Sequence, residues 1–141
     1  MVQNQTVTNT GITEFVILMS DTTPAATALT KIVGLNMATP CTSAAASTFA
    51  DPADTATHHT DGGLLIAAAN TVAQSTTNTT GDTIEVDHVF TATGSKNLAG
   101  FHLCNNDGDV TFMECCFAAV LAMENTDTCT IEAKIVVDQA A

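Results

Sequence analysis

The sequence predicts a mainly β fold, an antiparallel β-sandwich-like domain with one short N-terminal helix, occupying residues 1–141 as a single domain. Three observations predict it. Thr and Ala together fill about a third of the chain and 45% of it is hydrophobic, a bias toward strands and small-residue packing. Residues 82–91 alternate, with Ile84, Val86, His88 and Phe90 on one side and Thr83, Glu85, Asp87 and Val89 on the other, the period of a half-buried strand. Residues 97–138 read as three apolar runs separated by two strong turn signals, Asn105-Asn106-Asp107-Gly108-Asp109 and Glu124-Asn125-Thr126-Asp127.

The elements follow in order. Residues 5–10 form a short Thr/Val strand. Ile12, Phe15, Val16 and Met19 then fall at i, i+3, i+4 and i+7, one face of a helix over 12–19. Asn9 or Thr10 caps that helix, with Glu14 in its first turn. Residues 31–35 form a strand, and 38–63, with Pro40 and Pro52, a long loop holding one short strand at most. Residues 64–72 fit either a strand or a short helix, because the Ala run suits both; 74–81 is a polar loop. Strands over 82–91, 97–104, 110–123 and 128–138 complete the chain.

Register follows from pairing. With the last turn centred on Thr126, Met123 faces Cys129, Leu121 faces Ile131, Ala119 faces Ala133, Phe117 faces Ile135 and Cys115 faces Val137, all apolar. A one-residue slip would set Phe117 against Lys134. The preceding hairpin pairs Phe101 with Met113 and Ala99 with Cys115 on the same face, so the last three strands form a meander. The other face mixes Val110, Phe112, Cys116, Val120 and Val136 with Glu114, Glu132 and Lys134. A second face this apolar calls for a partner, and Val110, Phe112, Val120 and Val136 are the candidate oligomer interface, met together with the N-terminal helix. A second sheet of the same chain is the rival cover.

Charge narrows the function. Fifteen acids against three lysines, with no Arg, give a net charge of -12. That argues against nucleic acid as a partner, since phosphate neutralisation needs Lys/Arg clusters. No apolar run reaches a membrane span, and the start lacks the basic and apolar regions of a secretory signal, so the expectation is a chain made in a cytoplasm with no membrane partner. Without such a signal, the glycosylation patterns at Asn4 and Asn78 are read as accidental. The acidic balance suits plain solubility or a salt-rich environment; scarce Lys and absent Arg favour the second.

Candidate chemistry is thin. His58-His59-Thr60-Asp61, with His88, His102 and Cys104, suggests a metal site only weakly, because no HxxxH or CxxC spacing supports it and adjacent His58 and His59 point apart on an extended chain. The 105–109 segment resembles part of a calcium loop but lacks the distal bidentate Glu. Cys41, Cys104, Cys115, Cys116 and Cys129 are read as buried reduced thiols, with a disulfide pair or thiolate metal site as alternatives; Cys115, Cys116 and Cys129 are expected not to bond among themselves. Ser43, Ser47, Ser75 and Ser95 sit in no nucleophile motif, and Gly62-Gly63 is no phosphate loop. The expectation is a chain without catalytic residues, cofactor or metal.

The order of features resembles a loose group of small β-rich structural proteins of tailed viruses, of capsid decoration, turret or tail-fibre type. The resemblance rests on Thr8-Asn9-Thr10-Gly11 entering the helix, Ile32-Val33-Gly34, the Thr-rich strand 83–90 ending in Phe90, Ala99-Gly100-Phe101-His102-Leu103-Cys104-Asn105, the Met/Phe strand 113–117, and Asp127-Thr128 opening the last strand. Ala99 stands where an acid usually precedes the glycine, and the common basic residues are missing. The resemblance implies a non-enzymatic virion structural protein made in the host cytoplasm, a halophile if the acidity is so read. It implies a homo-oligomer, a trimer by analogy, touching other virion proteins such as the major capsid or tail proteins. A subunit of a cellular surface filament, or a small binding module, is the alternative.

Overall fold

Two antiparallel sheets face each other across one apolar core. The structure, a computed structural model, describes residues 3–20, 29–50, 52, 56–69, 71–76, 82–105 and 110–137. Its elements are β1 (Gln3–Val7), α1 (Asn9–Ser20), β2 (Leu29–Asn36), β3 (Thr57–His58), β4 (Ala67–Ala68), β5 (Thr71–Ser75), β6 (Thr83–Thr91), β7 (Lys96–Asn105), β8 (Thr111–Met123) and β9 (Thr128–Val136). The larger sheet has the order β1-β8-β7-β2-β3, with β4 also on β2; the smaller is β5-β6-β9. This is the mainly β, sandwich-like architecture with one N-terminal helix that the sequence predicts. Residues 106–109 of the expected turn at 105–109, 77–81 of the polar loop 74–81, 51 and 53–55 of the long loop 38–63, and Asp138 at the end of the last expected strand lie outside the described residues.

The core joins the sheets. Ile32, Leu98, Phe101, Leu103, Met113, Cys115 and Phe117 from the larger sheet meet Val86, Phe90, Ile131 and Ala133 from the smaller one. Alternation in β6 follows the sequence: Val86 and Phe90 are fully buried, whereas Val89 is exposed. Ambiguity over 64–72 resolves toward strand, with β4 at Ala67–Ala68 and β5 beginning at Thr71.

The meander does not extend through all three last strands. β7 pairs with β8, but β9 pairs with β6 in the other sheet, Phe90 facing Cys129 and Ile84 facing Ile135. Phe117 is therefore not the strand neighbour of Ile135; its partner in β1 is Gln3. The turn at 124–127 crosses between sheets. It is fixed to the opposite crossover, the β6–β7 connection, by Thr126 N–H to Ala92 O (2.8 Å) and Ala92 N–H to Asp127 O (2.9 Å). The all-apolar pairing still had a cause: Cys115, Phe117, Leu121 and Met123 face the same core as Ile131, Ala133 and Ile135. Face-to-face packing satisfies that pattern as fully as edge-to-edge pairing.

The β7–β8 register also differs from the expectation by two residues. Phe101 faces Cys115, His102 faces Glu114 and Leu103 faces Met113. Irregularities between Leu98 and Gly100, and between Leu103 and Cys104, reset the pairing. Strict alternation fails at the first of them: Leu98 and Phe101 both belong to the inter-sheet core, while Ala99 joins a second cluster on the outer face. Gly100 sits where β7 meets the Cys115 carbonyl so closely that a Cβ would overlap it.

The helix starts earlier than expected and uses a different cap. Thr8 Oγ1 accepts from Gly11 N–H (3.0 Å), and Thr8 O accepts from Ile12 N–H (3.0 Å), so Thr8 is the N-cap rather than Asn9 or Thr10. Glu14 consequently lies beyond the first turn, which carries no acid. Buried Gly11, not the apolar stripe, lies against β8: Ile12 is 53% exposed and Val16 54%.

Candidate functional site

The sequence places a lone acid, Glu114, among apolar residues of β8, and the structure surrounds it with donors. Glu114 is 0% exposed, as is the His102 side chain beside it. Its Oε1 accepts from His102 Nε2 (2.9 Å) and Ser47 Oγ (2.9 Å), and its Oε2 accepts from Ala44 N–H (2.9 Å). Burial favours the neutral acid, but these hydrogen bonds outweigh it and hold the carboxyl below its ordinary range.

Acceptor-only Glu114 fixes the histidine. His102 carries a proton on Nε2 toward Glu114, and its Nδ1 lies within hydrogen-bond distance of Thr111 Oγ1 (3.1 Å) and His58 Nε2 (3.0 Å). His58, on β3, stacks on Phe49 with ring centroids 4.2 Å apart. Burial first, then His102, pushes the His58 pKa down to about 4, with Glu114 partly opposing. The result is a hydrogen-bonded row from β8 through β7 to β3, closed at its Glu114 end by residues 44 and 47.

This row brings together only His58 and His102 of the six candidate metal ligands, and Asp61 pairs instead with Lys96 (2.7 Å). His59 turns away, its Nε2–H donating to the Asn97 carbonyl at 2.8 Å. His88 packs edge-on against Phe90, 4.6 Å away, and Cys104 is fully buried. Among the described residues no group of three or more His, Cys, Asp or Glu side chains is arranged to hold a metal ion.

Ser47 does not sit as an activated nucleophile. In a nucleophile–base–acid arrangement the hydroxyl donates to the histidine; here it donates to the carboxylate. The Cys115 thiol is equally unreactive by position: burial and the Glu114 charge push it up to about 12.

Cys41 and Cys116 are disulfide-bonded, which corrects the reading of five reduced thiols. Cys104, Cys115 and Cys129 are free thiols, as the expectation for Cys115, Cys116 and Cys129 among themselves required. The bridge was hidden because its two ends are 75 residues apart and Cys41 lies in the long loop.

The four candidate interface residues fall in different places. Val120 packs against the outer-face cluster of Leu35, Cys41, Ala56, Ala99 and Cys116, under the chain's own loop. Val110 is half-buried next to Asn105, whose N–H donates to the Val110 carbonyl at 3.1 Å. Phe112 and Val136, from different sheets, meet at a groove of about 330 Å³ with Val7, Ile12, Phe15, Ile135 and Val137. Phe15 and Val137 also line an adjoining hollow with Val72 and Ile84. The single mixed face expected across β8 and β9 does not exist, since those strands belong to separate sheets.

No family model matches the chain, and searches of curated proteins and of solved structures return no match.

Proposed function

We propose that this chain is a non-enzymatic virion structural protein of a tailed virus, a capsid-surface or tail component acting through self-assembly and contacts with other virion proteins. The observation that carries the assembly part is the apolar surface where α1 meets the end of β9. Ile12, Phe15, Val16, Val136 and Val137 are each at least 38% exposed there. Removing such area from water stabilises association by about 25 cal/mol per Å² before association costs. Charge supports a second copy as the occupant. The net charge of -12 makes two copies repel, yet α1 carries one charged residue, Glu14, so the copies meet with least repulsion through this surface. The virion assignment, and the preference for a trimer, come from the sequence resemblance.

Sedimentation of the purified protein tests assembly. The expected result is a discrete oligomer at micromolar concentration that dissociates in Phe15→Asp or Val137→Asp; a monomer throughout overturns it. Mass spectrometry of purified virus particles tests the setting, with the chain expected in stoichiometric amount, and portal and major capsid genes expected beside its gene. Its absence from particles overturns the virion assignment.

A further inference from the structure

Residues 41–49 lie as a strap along the outer face of the larger sheet, and their attachments are of two chemical kinds. One is covalent: Cys41 to Cys116. The other is ionic: Ala44 N–H and Ser47 Oγ both donate to Glu114, which stands two residues before Cys116 on the same face of β8. Weaker contacts join them, Ser43 Oγ with Thr6 Oγ1 (2.9 Å) and Asn9 N–H to Ala45 O (2.8 Å).

We propose that the 41–49 strap is held by two separable latches, the Cys41–Cys116 disulfide and the Glu114 carboxylate, and leaves the sheet only when the bridge is reduced and the carboxylate protonated. Each latch has its own chemistry. Reduction by a phosphine cleaves the S–S bond; the two sulfurs take up two electrons and two protons, and the phosphine leaves as its oxide with the oxygen of water. Protonation of Glu114 places a hydrogen on a group that faces three donors, so one of those donors loses its acceptor. Charge-assisted bonds from Ala44 and Ser47 become neutral ones or break.

The surroundings of Glu114 make it the acid-sensitive member. β7 presents His102, β3 presents His58 behind it, and the strap presents only Ser47 and the Ala44 amide. β1 places Thr6 opposite Glu114 in register, β2 places Val33 opposite His102, and β8 itself adds Thr111 and the Cys115 thiol. None of these described neighbours is a lysine; the titratable groups beside Glu114 are His102, whose charge favours the carboxylate, His58 behind it and the Cys115 thiol. With both latches open, the Ser43 and Ala45 hydrogen bonds and the stacking of Phe49 on His58 are left to oppose the entropy of ordering nine residues. Opening uncovers Leu35, Ala99 and Cys116, now buried beneath the strap.

Hydrogen exchange tests this on the full chain, read as protection factors of the 41–49 amides against those of β6 and β9. Oxidised wild type and Cys41→Ala are each compared at about pH 7 and about pH 3. Protection of 41–49 is expected to persist in three of these four states. It falls by roughly 100-fold or more only in Cys41→Ala at low pH, while β6 and β9 stay protected. Phosphine-reduced wild type is expected to behave as Cys41→Ala does. Cys41→Ala with Glu114→Gln loses the strap at both pH values, and Glu114→Gln with the bridge intact keeps it, which also shows that the substitution folds. Loss of protection in Cys41→Ala at neutral pH, retention at low pH, or parallel loss in β6 and β9 overturns the proposal.

Discussion

Gly11 lies against the backbone of Phe112 so closely that a Cβ on Gly11 would overlap the Phe112 carbonyl oxygen. The N-terminal helix is thus seated on β8 by backbone contact at its first turn, next to the Thr8 cap. Thr8 Oγ1 ties the same junction to Thr111 O, and Thr10 Oγ1 donates to that carbonyl at 2.9 Å. Because the seat is confined to the first turn, Ile12 and Val16 of the helix's apolar stripe stay in solvent, and the proposed assembly draws on that surface.

Gly11→Ala sets two effects against each other. Ala favours a helix interior over Gly by about 1 kcal/mol. Here the added methyl meets fixed backbone, and overpacking costs about 1–3 kcal/mol. The clash is with main-chain atoms that no rotamer can move, so net destabilisation is expected. Thr13→Ala, at an exposed position of the same helix, is the control and is expected to be neutral or slightly stabilising. Urea denaturation of both variants checks the sign; a stabilised Gly11→Ala contradicts the seating.

The crossing turn makes a second prediction. Thr126 has φ 74°, in the left-handed region that a β-branched residue adopts at a cost. Two hydrogen bonds to the Ala92 region hold it there. Thr126→Gly removes a strain of about 1–2 kcal/mol while giving back part of it through greater unfolded-state freedom. A net gain of about 0.5–1 kcal/mol is expected in thermal or denaturant unfolding. A loss shows that the Thr126 side chain contributes something the backbone does not record.

How far these relationships could be read in the sequence depends on the kind of pattern. Alternation is local, so β6 and the faces of Phe117 and Ile131 were legible. Which strand lies beside which was not, because Phe117 and Ile135 satisfy apolar matching whether they share a sheet or face each other across the core. The site was hidden by the same limitation. Had Gly100 and the bulge beside it been placed, His102 would have fallen opposite Glu114, and a lone acid on an apolar face would have found its donor. A two-residue error in register instead set that acid opposite a glycine. Cys41 left no local sign of its partner, because its contacts are made by tertiary packing of the long loop.

Thiol reactivity separates the three free cysteines. Cys104 and Cys115 are fully buried, and Cys115 is pushed up to about 12, so almost none of it is thiolate near neutral pH. Cys129 is only half-buried, though burial raises its pKa too. Brief alkylation of the native protein at mildly alkaline pH, followed by peptide mass analysis, is expected to label Cys129 first. Cys104 and Cys115 are labelled only after unfolding. Rapid labelling of Cys115 in the folded protein contradicts the burial and charge assigned to it.

Acid should act on stability first through His58. Its folded pKa of about 4 lies below the ordinary 6.5. Between those values the unfolded chain binds a proton that the folded one refuses, so folding stability rises with pH across this window. The contribution is complete above about 6.5, declines as pH falls, and is gone near 4, where both states are protonated. Glu114 acts lower: its folded pKa is depressed below the ordinary 4.5, so its contribution stands above that value and is lost as pH drops through the folded one. Two stages follow, separable by substitution. His58→Gln keeps a group able to donate toward His102 but cannot titrate, and it is expected to reduce the slope of the stability profile between about 6.5 and 4, with a remainder carried by His59, whose pKa burial also lowers, while leaving the lower stage in place. Glu114→Gln removes the lower stage and lowers stability at neutral pH by about 1–3 kcal/mol, because an amide cannot accept from three donors at once. Urea midpoints measured at half-unit pH steps read both. An unchanged profile in His58→Gln shows that His58 is not held neutral by the fold.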